Sequence, residues 1–227
     1  MKTEWVSLAV SDGTTMAAYL ARPESGPARG VLVFQEAFGV NGHIQDVARR
    51  LAEQGWCALA PDLFHRTAPR FDLDYSDFRP AMPHMKAMTM EGQKADLRAC
   101  HDWMVEQHVG QVAAIGFCMG GRMAALAAQV LPLQAAASFY GGNILSLRES
   151  AADTQAPLLL VWGDQDQHIP KAQRDEFADL LRAAGKPFAE CTFSAAGHGF
   201  FNDQRESYEP SSARVAWALA LAFLDRQ

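Results

Sequence analysis

The pattern of apolar and polar positions begins with two short strands and a tight turn. Residues 5–10 and 16–21 both have strand patterns, and Asp12-Gly13 between them is typical of a hairpin turn. The run from Val31 to Phe34 is continuously apolar, as expected of a strand covered on both faces. The sequence therefore predicts an antiparallel start followed by buried strands.

Helical and strand patterns alternate along the rest of the chain. Helical spacing covers residues 44–53, 91–107, 118–130, 171–184 and 211–224, and strand patterns cover 56–60, 111–115, 134–140, 158–162 and 188–193. This alternation predicts an α/β fold in which a mostly parallel sheet carries helices on both faces. With 227 residues, we expect a single domain over residues 1–227.

One long stretch, residues 62–90, has prolines and methionines but no clean period. A connection of this length in a compact domain is usually functional or mobile. The stretch is therefore either a substrate loop or a plain surface loop, and the sequence favours neither. Met82 in this stretch could line an adaptable pocket, or it could pack against the core at a helix edge.

Composition and charge narrow the function classes. The chain is 49% hydrophobic and 20% charged, with a net charge of −6 and no run of Lys and Arg. These values favour a small-molecule substrate and argue against nucleic acid or an anionic membrane surface as partner. No stretch approaches the ~18 apolar residues of a membrane-spanning helix. We expect a cytoplasmic monomer or small homo-oligomer without a cofactor.

Cysteines and histidines suggest neither disulfides nor a metal site. The four cysteines are far apart and include no CxxC pair, so we expect free thiols in a reducing compartment. The seven histidines have no spacing typical of metal ligands, so we expect no bound metal.

The strongest chemical motif is Gly116-Phe117-Cys118-Met119-Gly120-Gly121, which follows an apolar strand and begins a helix. It matches the G-x-S-x-G nucleophile elbow of α/β-hydrolases with Cys in place of Ser. Glycines flank the nucleophile because the turn is strained, and the helix N-terminus stabilises a thiolate. The alternative is a buried structural Cys beside packing glycines.

An acid and a histidine should follow the elbow, each just after a strand. Asp166 follows the strand at 158–162, and His198 follows the one at 188–193. We expect His198 to move the proton of Cys118 and Asp166 to orient the imidazole. Asp164 competes for the acid role, although its position suits turn capping better.

Two backbone N–H groups would form an oxyanion hole, and Met119 and Ala37 are the candidates. Glu36 precedes Ala37, and from spacing alone an exposed loop carboxylate is slightly favoured for it. Tyr140 follows a strand end and either borders the site or simply ends the strand.

Together, these motifs resemble the dienelactone hydrolase family, cysteine hydrolases of the α/β-hydrolase fold. The similarity covers nearly the whole chain, through residues 35–39, 60–64, 116–121, the Asp166 loop and 196–200. It implies Cys118 as nucleophile, His198 as base, Asp166 as orienting acid, and Ala37 and Met119 as oxyanion donors. It also implies that Glu36 interacts with the resting thiol and helps to activate it.

The chain departs from the family at anion-binding positions. Members that bind a substrate carboxylate have Ser directly after the His and Arg three residues later, where this chain has Gly199 and Asn202. The family's other anion-binding Arg and a Tyr lie in a loop that matches residues 77–82. In this chain, Arg79 is the only residue of that loop that could bind an anion in their place. Arg79 is our leading candidate for a cation that partners Glu36, against the alternative of a solvated surface Arg.

We therefore expect a hydrolase that cleaves a small lactone or ester with a Cys-His-Asp triad through an acyl-enzyme. One alternative is a general carboxylesterase or thioesterase on neutral acyl substrates. The other is a non-catalytic ligand-binding member of the fold, which would be expected if the triad were incomplete.

Overall fold

The structure, a computed structural model, describes residues 1–24, 26 and 29–225. The Cα positions group the chain into two compact units, Met1–Ala113 and the part from Ala114 onwards. Each unit is a layered α/β arrangement, as predicted, and each is described by itself. One domain over residues 1–227 stays a prediction.

The first unit is built on a mixed sheet in the order β1, β2, β4, β3. Its strands are β1 (Lys2–Ala9), β2 (Thr15–Arg22), β3 (Arg29–Phe34) and β4 (Trp56–Pro61). Its helices are α1 (Gly42–Glu53), α2 (Met82–Ala87) and α3 (Met90–Glu106), with a 3₁₀ turn at Arg79–Ala81. The antiparallel hairpin is confirmed, because β1 pairs with β2 from Lys2 opposite Arg22 to Ala9 opposite Thr15. β2 and β4 are antiparallel, whereas β3 and β4 are parallel.

The second unit carries four parallel strands in the order β5, β6, β7, β8. They are β5 (Gln111–Phe117, whose first residues belong to the first unit), β6 (Ala136–Phe139), β7 (Leu158–Gly163) and β8 (Phe188–Phe193). Its helices are α4 (Met119–Val130), α5 (Lys171–Ala183) and α6 (Pro210–Leu224), with a 3₁₀ segment at Ile144–Asp153. Because the strands are parallel, the segments that follow them all leave the same edge of this sheet.

Burial explains why these strands form the core. All residues of β4, β6 and β7 are buried, whereas β8 alternates between exposed and half-buried positions, as suits a strand with one neighbour in this unit. In β6, Ala136 pairs with Ala114 of β5 and Leu158 of β7, and Ala137 pairs with Ile115 and Leu159. Among the described residues, no helix is both long and apolar enough to cross a membrane.

The stretch at 62–90 is more ordered than its sequence suggested. It contains the 3₁₀ turn and α2, neither of which was predicted. These helices tolerate Pro80 and Pro83 because both prolines stand in first turns, where a missing N–H costs nothing. Core packing is the wrong interpretation for Met82, which is 37% exposed on a helix without buried residues. Whether the stretch acts as a substrate loop stays a prediction.

Candidate active site

Cys118 occupies the sharp turn between β5 and α4. Its φ of 55° and ψ of −119° belong to a conformation that non-glycine residues rarely adopt. Backbone hydrogen bonds hold it there: the Cys118 N–H donates to the Phe139 carbonyl at 3.0 Å, and the Cys118 carbonyl accepts from Gly121 at 2.9 Å and Gly142 at 3.2 Å. The turn thus fixes the thiol at the carboxyl end of β5.

Glycines around this turn allow two backbone segments to approach closely. A Cβ atom on Gly121 would lie 2.5 Å from the Phe139 oxygen and 2.9 Å from the Gly141 Cα. A Cβ on Gly141 would lie 2.7 Å from the Ser138 Oγ. Side chains at either position would force the β5–α4 turn away from the end of β6.

His198 and Asp166 lie together beyond the ends of β8 and β7. The His198 Nδ1 is 2.8 Å from the Asp166 Oδ2, and the two side chains are 10% and 1% exposed. The Asp166 Oδ1 accepts from the backbone N–H groups of His168 at 2.7 Å and Ile169 at 3.2 Å. Burial raises the pKa of Asp166, but the hydrogen bond and charge of His198, together with the backbone hydrogen bonds from His168 and Ile169, outweigh it, so the pKa lies below its usual 3.8.

His198 also forms a hydrogen bond with the Cys118 side chain. Burial lowers the pKa of His198, yet the charge of the Cys118 thiolate and the hydrogen bonds to Asp166 and Cys118 raise it to about 10. This environment favours a protonated His198 imidazole next to the Cys118 side chain.

A close approach of two loops brings Asp166 to His198. A Cβ on Gly163, at the end of β7, would lie 2.8 Å from the Ala196 carbonyl carbon and 2.8 Å from the Gly197 oxygen. Asp164 faces another partner, because its Oδ1 is 3.5 Å from the Nη2 of the buried Arg174. The carboxylate that contacts the imidazole is therefore that of Asp166.

Two aromatic rings pack against the His198 imidazole. The Tyr140 ring lies edge-on at 5.2 Å, and the His168 ring lies edge-on at 5.0 Å. Tyr140 is fully buried at the end of β6 with a φ of 37°. The sequence left open whether Tyr140 borders the site or simply ends the strand, and it contained no signal for the ring contact of His168, which depends on the loop conformation.

Glu36 and Ala37 belong to the first unit and are 1% and 4% exposed. The interpretation of Glu36 as an exposed loop carboxylate is therefore wrong. Gln35 stabilises this loop, since its amide donates to the Glu36 carbonyl at 3.3 Å and its Oε1 accepts from the Leu63 N–H at 3.1 Å. Glu36 lies shortly after the end of β3, and this position gives no indication in the sequence that its side chain is buried.

Arg79 lies on the surface of the first unit. Its side chain is 79% exposed, and its Nη2 is 2.8 Å from the Asp77 carboxylate. The backbone N–H of Arg79 also donates to Asp77 at 2.9 Å. Arg79 as the cation that partners Glu36 stays a prediction.

Gly199 and Asn202 continue the loop that carries His198. Gly199 has a φ of +77°, and a Cβ there would lie 2.7 Å from the Cζ of Arg205. Asn202 is fully buried, donates its N–H to the Gly199 carbonyl at 3.0 Å and accepts from the Gln204 N–H at 3.0 Å. Arg205 has no signal in the sequence, because only the positive φ of Gly199 and the tight turn bring its side chain back to Gly199.

The other three thiols differ from Cys118. Burial raises the pKa of Cys57 to about 11 despite the opposing charge of Arg22, and burial also raises the pKa values of Cys100 and Cys191. A raised pKa keeps a thiol protonated and unreactive. In the described part of the chain, no three His, Cys, Asp or Glu side chains cluster closely enough to hold a metal ion.

Comparison with known proteins places this geometry in a family. Residues 16–227 match the model of the dienelactone hydrolase family. The carboxymethylenebutenolidase of Pseudomonas putida is 31% identical over 230 residues, 99% of this chain and 97% of that protein. A Yersinia pestis protein named "Putative carboxymethylenebutenolidase" is 36% identical over 222 residues, 91% of this chain and 82% of that protein.

A solved structure has a similar fold over its full length. The crystal structure titled "Putative Dienelactone Hydrolase" from Klebsiella pneumoniae superposes with a TM-score of 0.88 at 32% identity, covering 100% of both chains. The predicted α/β-hydrolase fold is thereby confirmed. With a family model that matches almost the whole chain and relatives above 30% identity, this chain is a hydrolase that belongs to the dienelactone hydrolase family.

Proposed function

We propose that the chain cleaves a small lactone or ester with Cys118 as nucleophile, His198 as general base and acid, and Asp166 as orienting carboxylate. The observation that carries the proposal is the continuous hydrogen-bonded path from the thiol through the imidazole to the buried carboxylate. A relative named carboxymethylenebutenolidase supports a lactone as the substrate class.

Acylation begins with attack of the Cys118 sulfur on the carbonyl carbon, after the thiol proton has passed to His198. The tetrahedral intermediate then collapses, the bond to the alkoxy oxygen breaks, and His198 returns the proton to that oxygen. In a lactone the leaving oxygen stays attached to the acyl group. The product of this half is a thioester on Cys118.

Deacylation uses the same residues with water as the nucleophile. His198 removes a proton from water, the hydroxide attacks the thioester, and the sulfur leaves as the carboxylic acid forms. Asp166 keeps the Nδ1 proton of the imidazole directed at its carboxylate and stabilises the imidazolium in both halves. This role requires the buried 2.8 Å contact.

The negative charge on the carbonyl oxygen needs donors. Met119 begins α4 directly after Cys118, where the backbone N–H has no partner within the helix, so it is our first oxyanion donor. Ala37 as the second donor, and Glu36 as a group that tunes the thiol, are carried by the family resemblance.

The test is a set of cysteine variants. Cys118→Ala should abolish hydrolysis of a chromogenic ester and leave the far-UV circular dichroism spectrum unchanged. Cys57→Ala, Cys100→Ala and Cys191→Ala are the matched controls and should retain turnover, because burial keeps these thiols protonated. Full turnover by Cys118→Ala would refute the mechanism.

The alternative is a general carboxylesterase or thioesterase, which would use the same three side chains, Cys118, His198 and Asp166, in the same roles. Paired kcat/KM values on a neutral lactone or ester and on a dienelactone with a free carboxylate test whether a substrate carboxylate is recognised. With Gly199 and Asn202 at the family's anion-binding positions, we expect the neutral substrate to be preferred. Arg79→Ala should change this ratio little, because Arg79 is exposed and paired with Asp77. A preference for the carboxylated lactone that Arg79→Ala removes would contradict the expectation.

A further inference from the structure

We propose that Arg205 is a positioning residue for His198 and acts through the backbone of Gly199. The proposal rests on the catalytic role that we propose for His198. Arg205 lies after His198 in the connection between β8 and α6.

Arg205 packs directly against the residue that follows His198. A Cβ built on Gly199 would lie 2.7 Å from the guanidinium Cζ and 3.1 Å from the Nε, closer than real Cβ atoms approach or at the limit. The guanidinium therefore occupies the space that a side chain at position 199 would take. The φ of +77° at Gly199 also disfavours any side chain there.

A compact turn returns the chain so that Arg205 faces Gly199. The Asn202 N–H donates to the Gly199 carbonyl at 3.0 Å, and the Arg205 N–H donates to the Asn202 carbonyl at 3.1 Å. The Glu209 N–H then donates to the Phe200 carbonyl at 3.0 Å, which closes the segment before α6. Arg205 is half-buried in this turn, so its planar guanidinium restricts the backbone of the loop that carries His198.

His198 is thus held from two sides. Asp166 at 2.8 Å and the Tyr140 ring at 5.2 Å fix the imidazole, while Arg205 fixes the backbone one residue further along. Proton transfer requires the imidazole within hydrogen-bond reach of the sulfur, and small displacements are costly. Loss of the Arg205 guanidinium would let the His198 loop relax into the space beside Gly199.

Two readouts test the role of Arg205. We expect Arg205→Met to lower kcat by about 10- to 100-fold, the scale of a small misplacement of a catalytic group, with KM nearly unchanged. Alkylation of Cys118 by iodoacetamide at neutral pH should slow, because a displaced imidazole no longer stabilises the thiolate. Arg205→Lys, which keeps charge but not planarity, should fall between wild type and Arg205→Met.

A double-mutant cycle with Gly199→Ala isolates the contact. Gly199→Ala should displace the guanidinium and reproduce the kinetic loss, so that adding Arg205→Met costs little more. Gly185→Ala is the matched control, since Gly185 has a φ of +66° but open space around it. It should lower the unfolding free energy through backbone strain alone and leave kcat and alkylation unchanged. Additive losses in the Gly199→Ala and Arg205→Met cycle would overturn the contact.

The outcomes also separate this proposal from the proposed function. Unchanged kcat and alkylation rate in Arg205→Met would refute the positioning role. A higher KM for carboxylated substrates alone would also refute it and make Arg205 an anion-binding residue. Turnover by Cys118→Ala would refute the proposed function, whereas the dependence of Cys118 alkylation on Arg205 is measured without any substrate.

Discussion

At the scale of single residues, the rings of His198 and His168 pack edge to face, but the two side chains contact different groups. His198 contacts Cys118 and Asp166, whereas the bond from His168 to Asp166 comes from its backbone N–H. We expect His198→Ala to lower kcat/KM by about 10²- to 10⁴-fold, the usual cost of losing a general base. His168→Ala keeps the backbone donor and should cost far less. Equal losses in the two variants, measured on one ester, would contradict this assignment.

The two carboxylates of the β7 loop can be distinguished in the same way. Asp166→Asn should lower kcat nearly as much as loss of the base, because an amide favours the wrong imidazole tautomer. Asp164→Asn should be milder, since this half-exposed carboxylate pairs with Arg174 at 3.5 Å. Steady-state kinetics on both variants provide the measurement. A larger loss in Asp164→Asn would identify Asp164 as the acid.

Residue chemistry could be predicted from the sequence where it lies in a motif. Cys118, Asp166 and His198 were named from their order and from the strands before them, and the structure brings their side chains together. The burial of Glu36 and the contact of Arg205 with Gly199 could not be predicted. Both depend on loop backbone angles and long side chains, which leave no periodic pattern.

At the scale of elements, the β5–α4 turn lies close to the backbone at the end of β6. Gly121→Ala would place a methyl group 2.5 Å from the Phe139 oxygen, so we expect it to lower the unfolding free energy by about 1–3 kcal/mol, as overpacking does. Urea unfolding provides the measurement. Gly142→Ala is the control, because a Cβ at Gly142 meets no atom within 4 Å, and it should change stability by less than about 0.5 kcal/mol. Equal stability of the two variants would contradict the close approach.

The bounds of elements with a strong apolar period were predicted to within a few residues. The bounds of elements that depend on prolines or local turns were not. Helix α5, expected over 171–184, runs Lys171–Ala183 and ends before Gly185. In contrast, the strand expected over 134–140 is only Ala136–Phe139, and the 3₁₀ segment at Ile144–Asp153 had no signal. Short helices such as α2 depend on tertiary contacts more than on their own propensity, so sequence alone leaves them undetermined.

At the scale of the whole molecule, the pairing of Asp166 with His198 links the candidate site to stability. Because the folded pKa of Asp166 is below 3.8, this carboxylate stabilises the fold above pH 3.8, and the contribution is lost as pH falls through the folded pKa. Because the folded pKa of His198 is raised from 6.5 to about 10, its contribution is complete below pH 6.5 and is lost as pH rises towards 10. The pair therefore stabilises the protein most between about pH 4 and 6.5.

The corresponding prediction compares wild type with Asp166→Asn, which removes the charge of the partner but keeps the size of the side chain. The difference in unfolding free energy should be largest between about pH 4 and 6.5. It should shrink at lower pH, where Asp166 is protonated, and at higher pH, where His198 loses its proton. Urea unfolding at a series of pH values from 3 to 10 measures the difference, with Asp164→Asn as the control for a carboxylate of the same loop that does not contact His198. Asp164→Asn should give a flatter dependence above pH 6.5, because the Asp164 carboxylate pairs with Arg174 rather than with the His198 imidazole. A difference for Asp166→Asn that stays constant from pH 6.5 to 10 would mean that His198 is already neutral beside Asp166 in the folded protein, and it would contradict the imidazolium on which the proposed thiolate depends.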